Sequence, residues 1–120
     1  MNRRLITLSK ILFKLVSENE ELEAFTNDLS ITTFRYVPKD LDLNTKQSQQ
    51  YLNQLNEALV TALQENGEVF LSNAIIDGKY CLRACIVNFR TTLKDVEAIP
   101  EIVLRTGKAI DGKLREKFTL

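Results

Sequence analysis

Residues 67–92 read GEVFLSNAIIDGKYCLRACIVNFRTT, and this run decides the fold. Two alternating segments flank Asp77-Gly78, a dipeptide that takes the positive φ angles of a type I′ turn, so a tight β-hairpin is expected. A two-residue loop fixes the register: Ile76 opposes Lys79, Ile75 opposes Tyr80 and Ser72 opposes Arg83. One face then carries Val69, Leu71, Asn73, Ile75, Tyr80, Leu82, Ala84 and Ile86, bulky enough to hold amphipathic helices. The other carries Phe70, Ser72, Ala74, Cys81, Arg83 and Cys85, small and polar residues around a single charge. An arginine cannot shed its proton, so burying Arg83 in this strand, expected over Lys79 to Val87, requires an anion nearby. Such a face suits contact with another domain, a second subunit or a ligand. A plain solvent face is the competing expectation.

Working outward, Leu5, Leu8, Ile11, Leu12, Leu15 and Val16 recur at helical spacing and predict an amphipathic helix over about 4–18. Its polar face is basic, compatible with a membrane surface or a targeting segment, but docking on the domain's own sheet is the simpler reading. Leu22 to Thr26 is a short strand candidate, with Asn27-Asp28 as the turn signal. Ile31 to Val37 (ITTFRYV) is a stronger strand, rich in β-branched and aromatic residues. Pro38-Lys39-Asp40 ends it, and the polar segment to Gln49 reads as the longest loop. Tyr51, Leu52, Leu55, Ala58, Leu59, Ala62 and Leu63 form one apolar stripe closed by Asn66-Gly67. Thr92 with Asp95 makes a capping box for a last helix toward Arg105. Pro100 is expected to kink or divide that helix, and Gly107 to close it before a charged tail.

The order helix, two strands, helix, hairpin, helix predicts an α+β domain: an antiparallel sheet of about four strands with three helices on one face. A chain of 120 residues suits one domain over 1–120, with its core over about 22–107 and a tail over 108–120. Hydrophobic residues at 44% and charged residues at 27% place it among ordinary soluble proteins. Sixteen basic and sixteen acidic side chains cancel, which gives no reason to expect nucleic acid as a partner. No apolar run reaches transmembrane length. The chain contains no histidine, which removes Ser-His and Cys-His catalysis and the commonest metal ligand; no metal site is expected. Cys81 and Cys85 lie four apart in one predicted strand, roughly 13 Å between Cα atoms, too far for a disulfide. Reduced packing cysteines in the cytoplasm are the plain reading.

Several pieces, taken in order, resemble the C-terminal small domain of the group II pyridoxal-phosphate-dependent decarboxylases, the glutamate and aromatic-L-amino-acid decarboxylase family. They are Thr33-Phe34-Arg35-Tyr36-Val37-Pro38, Leu52-Asn53-x-Leu55-Asn56, Gly67-Glu68-Val69-Phe70-Leu71-Ser72, Asp77-Gly78-Lys79, Leu82-Arg83, Asn88-Phe89-Arg90-Thr91-Thr92 and Asp95-Val96-Glu97. The resemblance implies the small domain of a fold type I enzyme, packed on a large doubly wound domain in a dimer. It also implies pyridoxal phosphate for the full-length family, held in the large domain by a Schiff-base lysine preceded by histidine, a second histidine over the ring and an aspartate. This chain lacks those groups, so neither catalysis nor cofactor binding carries over to it. One position does match. In glutamate decarboxylase-like members of the family the arginine of this strand reaches toward the substrate carboxylate at the domain boundary, and Arg83 occupies the matching position. An intrachain acid or backbone carbonyls would give Arg83 a structural role instead, while Arg35 and Arg90 read as structural or surface residues. The resulting expectation is a decarboxylase C-terminal domain, silent alone, whose partner is the large domain or, through uncovered apolar surface, a second copy in a homodimer. The alternative is a stand-alone module that binds a protein or a small carboxylate.

Overall fold

The computed structural model describes residues 3–67 and 71–118. Helix α1 (Arg3–Ser17) leads into strands β1 (Leu22–Asp28) and β2 (Ile31–Tyr36). Helix α2 (Lys46–Asn66), the hairpin strands β3 (Leu71–Ile76) and β4 (Lys79–Cys85), and helix α3 (Leu93–Leu114) follow, with a 3-10 turn over Arg115–Lys117. The strands form one antiparallel sheet in the order β1-β2-β4-β3, and the three helices cover one face of it. This is the expected α+β architecture.

The hairpin has the register that its sequence dictates, from Ile76 opposite Lys79 to Leu71 opposite Ala84. Asp77 and Gly78 take φ of 51° and 76°, the left-handed pair that a type I′ turn needs. Leu5, Leu8, Leu12 and Val16 of α1 are buried, as are Leu52, Leu55, Leu59 and Leu63 of α2 and Val96, Ile99 and Val103 of α3. They meet Phe34, Tyr36, Leu82 and Ala84 from the sheet in one core. Fully burying a side chain of this size stabilises by about 1.5–3 kcal/mol, so three helical stripes on one sheet face are enough to fix the layers.

Four local expectations change. The β1–β2 turn is not Asn27-Asp28 but Leu29-Ser30, with Asp28 opposite Ile31 and Leu29 at φ 53°. Asn27 stays in the strand because its amide is consumed inward: Nδ2 donates to Ser9 Oγ at 2.9 Å and Thr32 Oγ1 at 3.1 Å. Ser9 and Thr32 are buried and bond to each other, a polar pin between α1 and the sheet. Second, α2 begins at Lys46, inside the segment expected to be loop, since Thr45 caps it by accepting from Ser48 N at 3.1 Å. Third, α3 is one helix through Pro100 and through Gly107 to Leu114, so most of the expected tail is helical. Packing at Ile99 and Val103 carries the helix past the N–H that proline lacks. Gly107 is no terminator; it lets α3 close onto the Tyr36 ring. Fourth, Asn73 and Ile75 share the helix face but lie exposed, because β3 is an edge strand that α2 only partly covers. The expected placements of Val69 and Phe70 fall outside the described residues.

Two asparagines of the Leu52-Asn53-x-Leu55-Asn56 piece close the gap where β2 and β4 part. Asn56 accepts from Tyr36 N at 2.8 Å and donates to Tyr36 O at 3.0 Å. Asn53 accepts from Tyr80 N at 2.9 Å and donates to Gly78 O at 3.0 Å. The C-terminal end of α3 is held by Asp111, which accepts from the Tyr51 hydroxyl and from Arg115, while Arg115 also pairs with Asp40. Burial, then Asp111, raise the Tyr51 hydroxyl above its ordinary value, and burial with Glu21 pushes Tyr36 up to about 12. A raised folded-state value means that this stability is fully present below pH 10, where a free tyrosine titrates, and is lost above it. Urea unfolding is therefore expected to show stability falling by about 1 kcal/mol per pH unit between 10 and 12 for each of the two tyrosines. Tyr51→Phe should make the decline shallower, and an unchanged slope would contradict the assignment.

Candidate functional site

The sheet face opposite the helices has no layer of its own, yet part of it is dry. It carries Glu23, Thr33, Arg35, Ser72, Ala74, Cys81, Arg83 and Cys85, by the alternation of the paired strands. Cys81 is fully buried, Arg35 is 2% exposed and Thr33 is 5% exposed. Arg35 donates from Nε to Glu23 Oε1 at 2.7 Å and from Nη1 to Gln49 Oε1 at 3.3 Å. Its guanidinium lies 5.7 Å from the Phe25 ring centroid, with Lys79 Nζ at 5.6 Å from the same ring. Burial raises the Cys81 thiol above its ordinary range, although Arg35 beside it opposes this. A thiol held protonated in this way is a packing group, not a nucleophile.

Arg83 sits two residues along the face from this cluster. Its strand neighbours are Thr33 on β2 and Ser72 on β3, and Ser72 Oγ donates to its backbone carbonyl at 3.5 Å. The side chain is half-buried. Among the described residues the Arg83 guanidinium makes no ion pair, whereas Arg35 on the adjacent strand is paired with Glu23 and bonded to Gln49. The chain thus builds two arginines into one sheet face and neutralises one. The sequence reading singled out Arg83 but not the Arg35–Glu23 pair. The Leu29-Ser30 turn alone would set Glu23 opposite Tyr36. The one-residue bulge at Phe25 shifts the register and brings Glu23 opposite Arg35, so the pair follows from the bulge and not from the turn. Arg90 is exposed.

A second feature opens beyond the end of β4. A groove of about 430 Å³ runs between Ala84, Ile86 and Val87 on one side and Ala98, Ile99 and Ile102 of α3 on the other. Val87, Phe89 and Leu93 stand exposed around it. Arg4 of α1 donates to the carbonyls of Phe89 and Thr91 and ties this loop to the domain.

The residues present do not fit pyridoxal phosphate. Every described lysine except Lys79 is exposed, Lys79 is stacked on Phe25, and there is no histidine to cover a cofactor ring. Among the described residues no cluster of acids and cysteines could hold a metal ion, and no helix is long and apolar enough to cross a membrane.

Comparison with known proteins agrees with this geometry. The family described as the PDXDC1-like second central domain matches residues 12–115. An aromatic-L-amino-acid decarboxylase of Bacillus atrophaeus is 34% identical over 68 residues, which are 57% of this chain and 13% of that protein. Among solved structures, the glutamate decarboxylase domain of diaminobutyrate-pyruvate transaminase and L-2,4-diaminobutyrate decarboxylase from Vibrio parahaemolyticus superposes with a TM-score of 0.74 at 23% identity. It is matched over 89% of this chain and 21% of its own. Mouse CSAD in apo form gives a TM-score of 0.78 at 16% identity, over 88% of this chain and 23% of its own. The chain therefore spans about a fifth of the length of these structures. It belongs to the PDXDC1-like second central domain family, and its fold is that of the C-terminal domain of the group II pyridoxal-phosphate-dependent decarboxylases.

Proposed function

We propose that this chain acts as the C-terminal domain of a pyridoxal-phosphate-dependent amino-acid decarboxylase, forming the boundary with a larger cofactor-binding domain. On this reading Arg83 supplies a carboxylate contact at that boundary, and the cofactor and its chemistry belong to the larger domain, in a cytoplasmic enzyme. The observation that carries the reading is the contrast between Arg35, paired within the domain, and Arg83, which has no acid of its own among the described residues. A planar guanidinium in a half-buried face, with no acid paired to it among the described residues, matches a carboxylate through two parallel hydrogen bonds. The short fraction of its relatives that the chain spans supports a larger neighbouring domain, and the apolar groove beside Val87 and Phe89 gives that domain a second surface to cover.

The test uses the side-chain Nε–H resonances of the arginines. Adding glutamate or an aromatic amino acid is expected to shift the Arg83 signal, leave the Arg35 signal in place, and require millimolar ligand, since one boundary alone holds few contacts. Arg83→Met should abolish the response and change stability by less than about 0.5 kcal/mol. An unmoved Arg83 signal, or a loss of several kcal/mol in the methionine variant, would reject the carboxylate role. Micromolar binding would favour a stand-alone carboxylate-binding module. The chain alone, incubated with pyridoxal phosphate and borohydride, should show no single stoichiometrically labelled lysine and release no carbon dioxide from an amino acid.

A further inference from the structure

The sheet has two edges, and the sequence treats them differently. The outer edge of β1 is broken by a register shift at Phe25 and carries Glu23 and Asp28. Bulges and charges are the devices that keep an edge from pairing with another chain. The opposite edge, β3, reads LSNAII, with no charge, no proline and no shift in its pairing to β4.

Hairpin parity decides which backbone groups β3 offers. A two-residue loop makes Ile76 and Lys79 the hydrogen-bonded pair, so Ala74 and Ser72 also bond to β4. Leu71, Asn73 and Ile75 then direct N–H and C=O away from the sheet. Gln64 Nε2 donates to Leu71 O at 3.2 Å, as this parity demands. Among the described residues nothing comparable serves the outward groups of Asn73 and Ile75. Both residues are exposed, Ile75 to 68%.

We propose that β3 is a dimerisation edge, pairing antiparallel with β3 of a second copy of this chain to join the two sheets into one. The parity selects the register. Asn73 faces the partner's Ile75 and Ile75 faces the partner's Asn73, which uses all the outward N–H and C=O groups of these residues. Ala74 then falls on the two-fold axis against the partner's Ala74, a non-hydrogen-bonded pair in which strands approach to roughly 4.5 Å between Cα atoms. A small side chain fits there. A second copy is the occupant the edge suits because a strand without charge meets no like-charge repulsion when it pairs with itself, and because an isologous contact closes at two. This inference does not rest on the proposed function, and Arg83→Met leaves it unaffected.

Sedimentation equilibrium on the full chain tests it. A concentration-dependent monomer–dimer equilibrium is expected. Ile75→Pro removes an outward N–H while keeping every bond to β4, and should weaken the dimer at least roughly tenfold with an unchanged circular dichroism spectrum. In a Cys81→Ala, Cys85→Ser background, which removes the thiol directly across the hairpin from position 74, Ala74→Cys should form a disulfide-linked dimer under mild oxidation, since the two Cα atoms on the axis are within reach. Ser72→Cys should not, because two residues off the axis the separation is roughly 13 Å. A strict monomer at high concentration overturns the proposal. So does a dimer in which Ala74→Cys fails to cross-link, a result that decides the matter even if the proline variant does not fold.

Discussion

Asn56→Leu is expected to destabilise the domain by about 3 kcal/mol or more. Asn56 is fully buried and serves both backbone groups of Tyr36, as well as donating to Leu52 O at 2.9 Å. Leucine keeps the branched outline but is bulkier, so some overpacking adds to the loss, and the Tyr36 N–H and C=O are left in a dry site. Each stranded group costs about 1–3 kcal/mol. Asn53 makes the equivalent bridge to Gly78 and Tyr80 but is only half-buried. Water can replace it, and Asn53→Ala should cost about 1 kcal/mol. Urea unfolding of both variants reads the difference. Equal losses would show that the bridge at Tyr36 is not what closes the sheet.

Gly107→Ala should also destabilise, against the usual preference for alanine in a helix. A methyl group at Gly107 would stand 2.8 Å from Cδ2 and 3.0 Å from Cε2 of Tyr36. That ring is 1% exposed and held from behind by the core, so α3 must lift instead. Overpacking of this kind costs about 1–3 kcal/mol. Gly112 lies on the same helix with nothing within 4 Å of its position. There alanine should stabilise, by up to about 1 kcal/mol. Opposite signs for the two substitutions in a thermal unfolding series are the expected result; a gain at both sites would mean that α3 and β2 are not in close contact.

Both predictions converge on Tyr36, and neither was visible in the chain order. The sequence determined what is local. The Asp77-Gly78 turn sets the hairpin register because two left-handed residues admit one loop geometry, and that register places Arg83 opposite Ser72. The apolar periods of α1 and α2 and the capping box at Thr92 and Asp95 follow from short-range chemistry that needs no partner. The family's ordered pieces were legible for the same reason.

Tertiary structure decided wherever a residue had two locally acceptable uses. Asn27-Asp28 makes a good turn in isolation, but Ser9 and Thr32 draw the Asn27 amide inward and shift the turn to Leu29-Ser30. Gly107 makes a good helix terminator, but Tyr36 needs the space of its missing side chain. Arg35 reads as one more charge in a strand until the sheet brings Glu23 and Gln49 to it and, among the described residues, no equivalent to Arg83. Backbone conformation costs little to choose among such options, while burial of a polar group without its partner costs several times more. The long-range contact therefore selects the local form, and a linear reading holds no record of it.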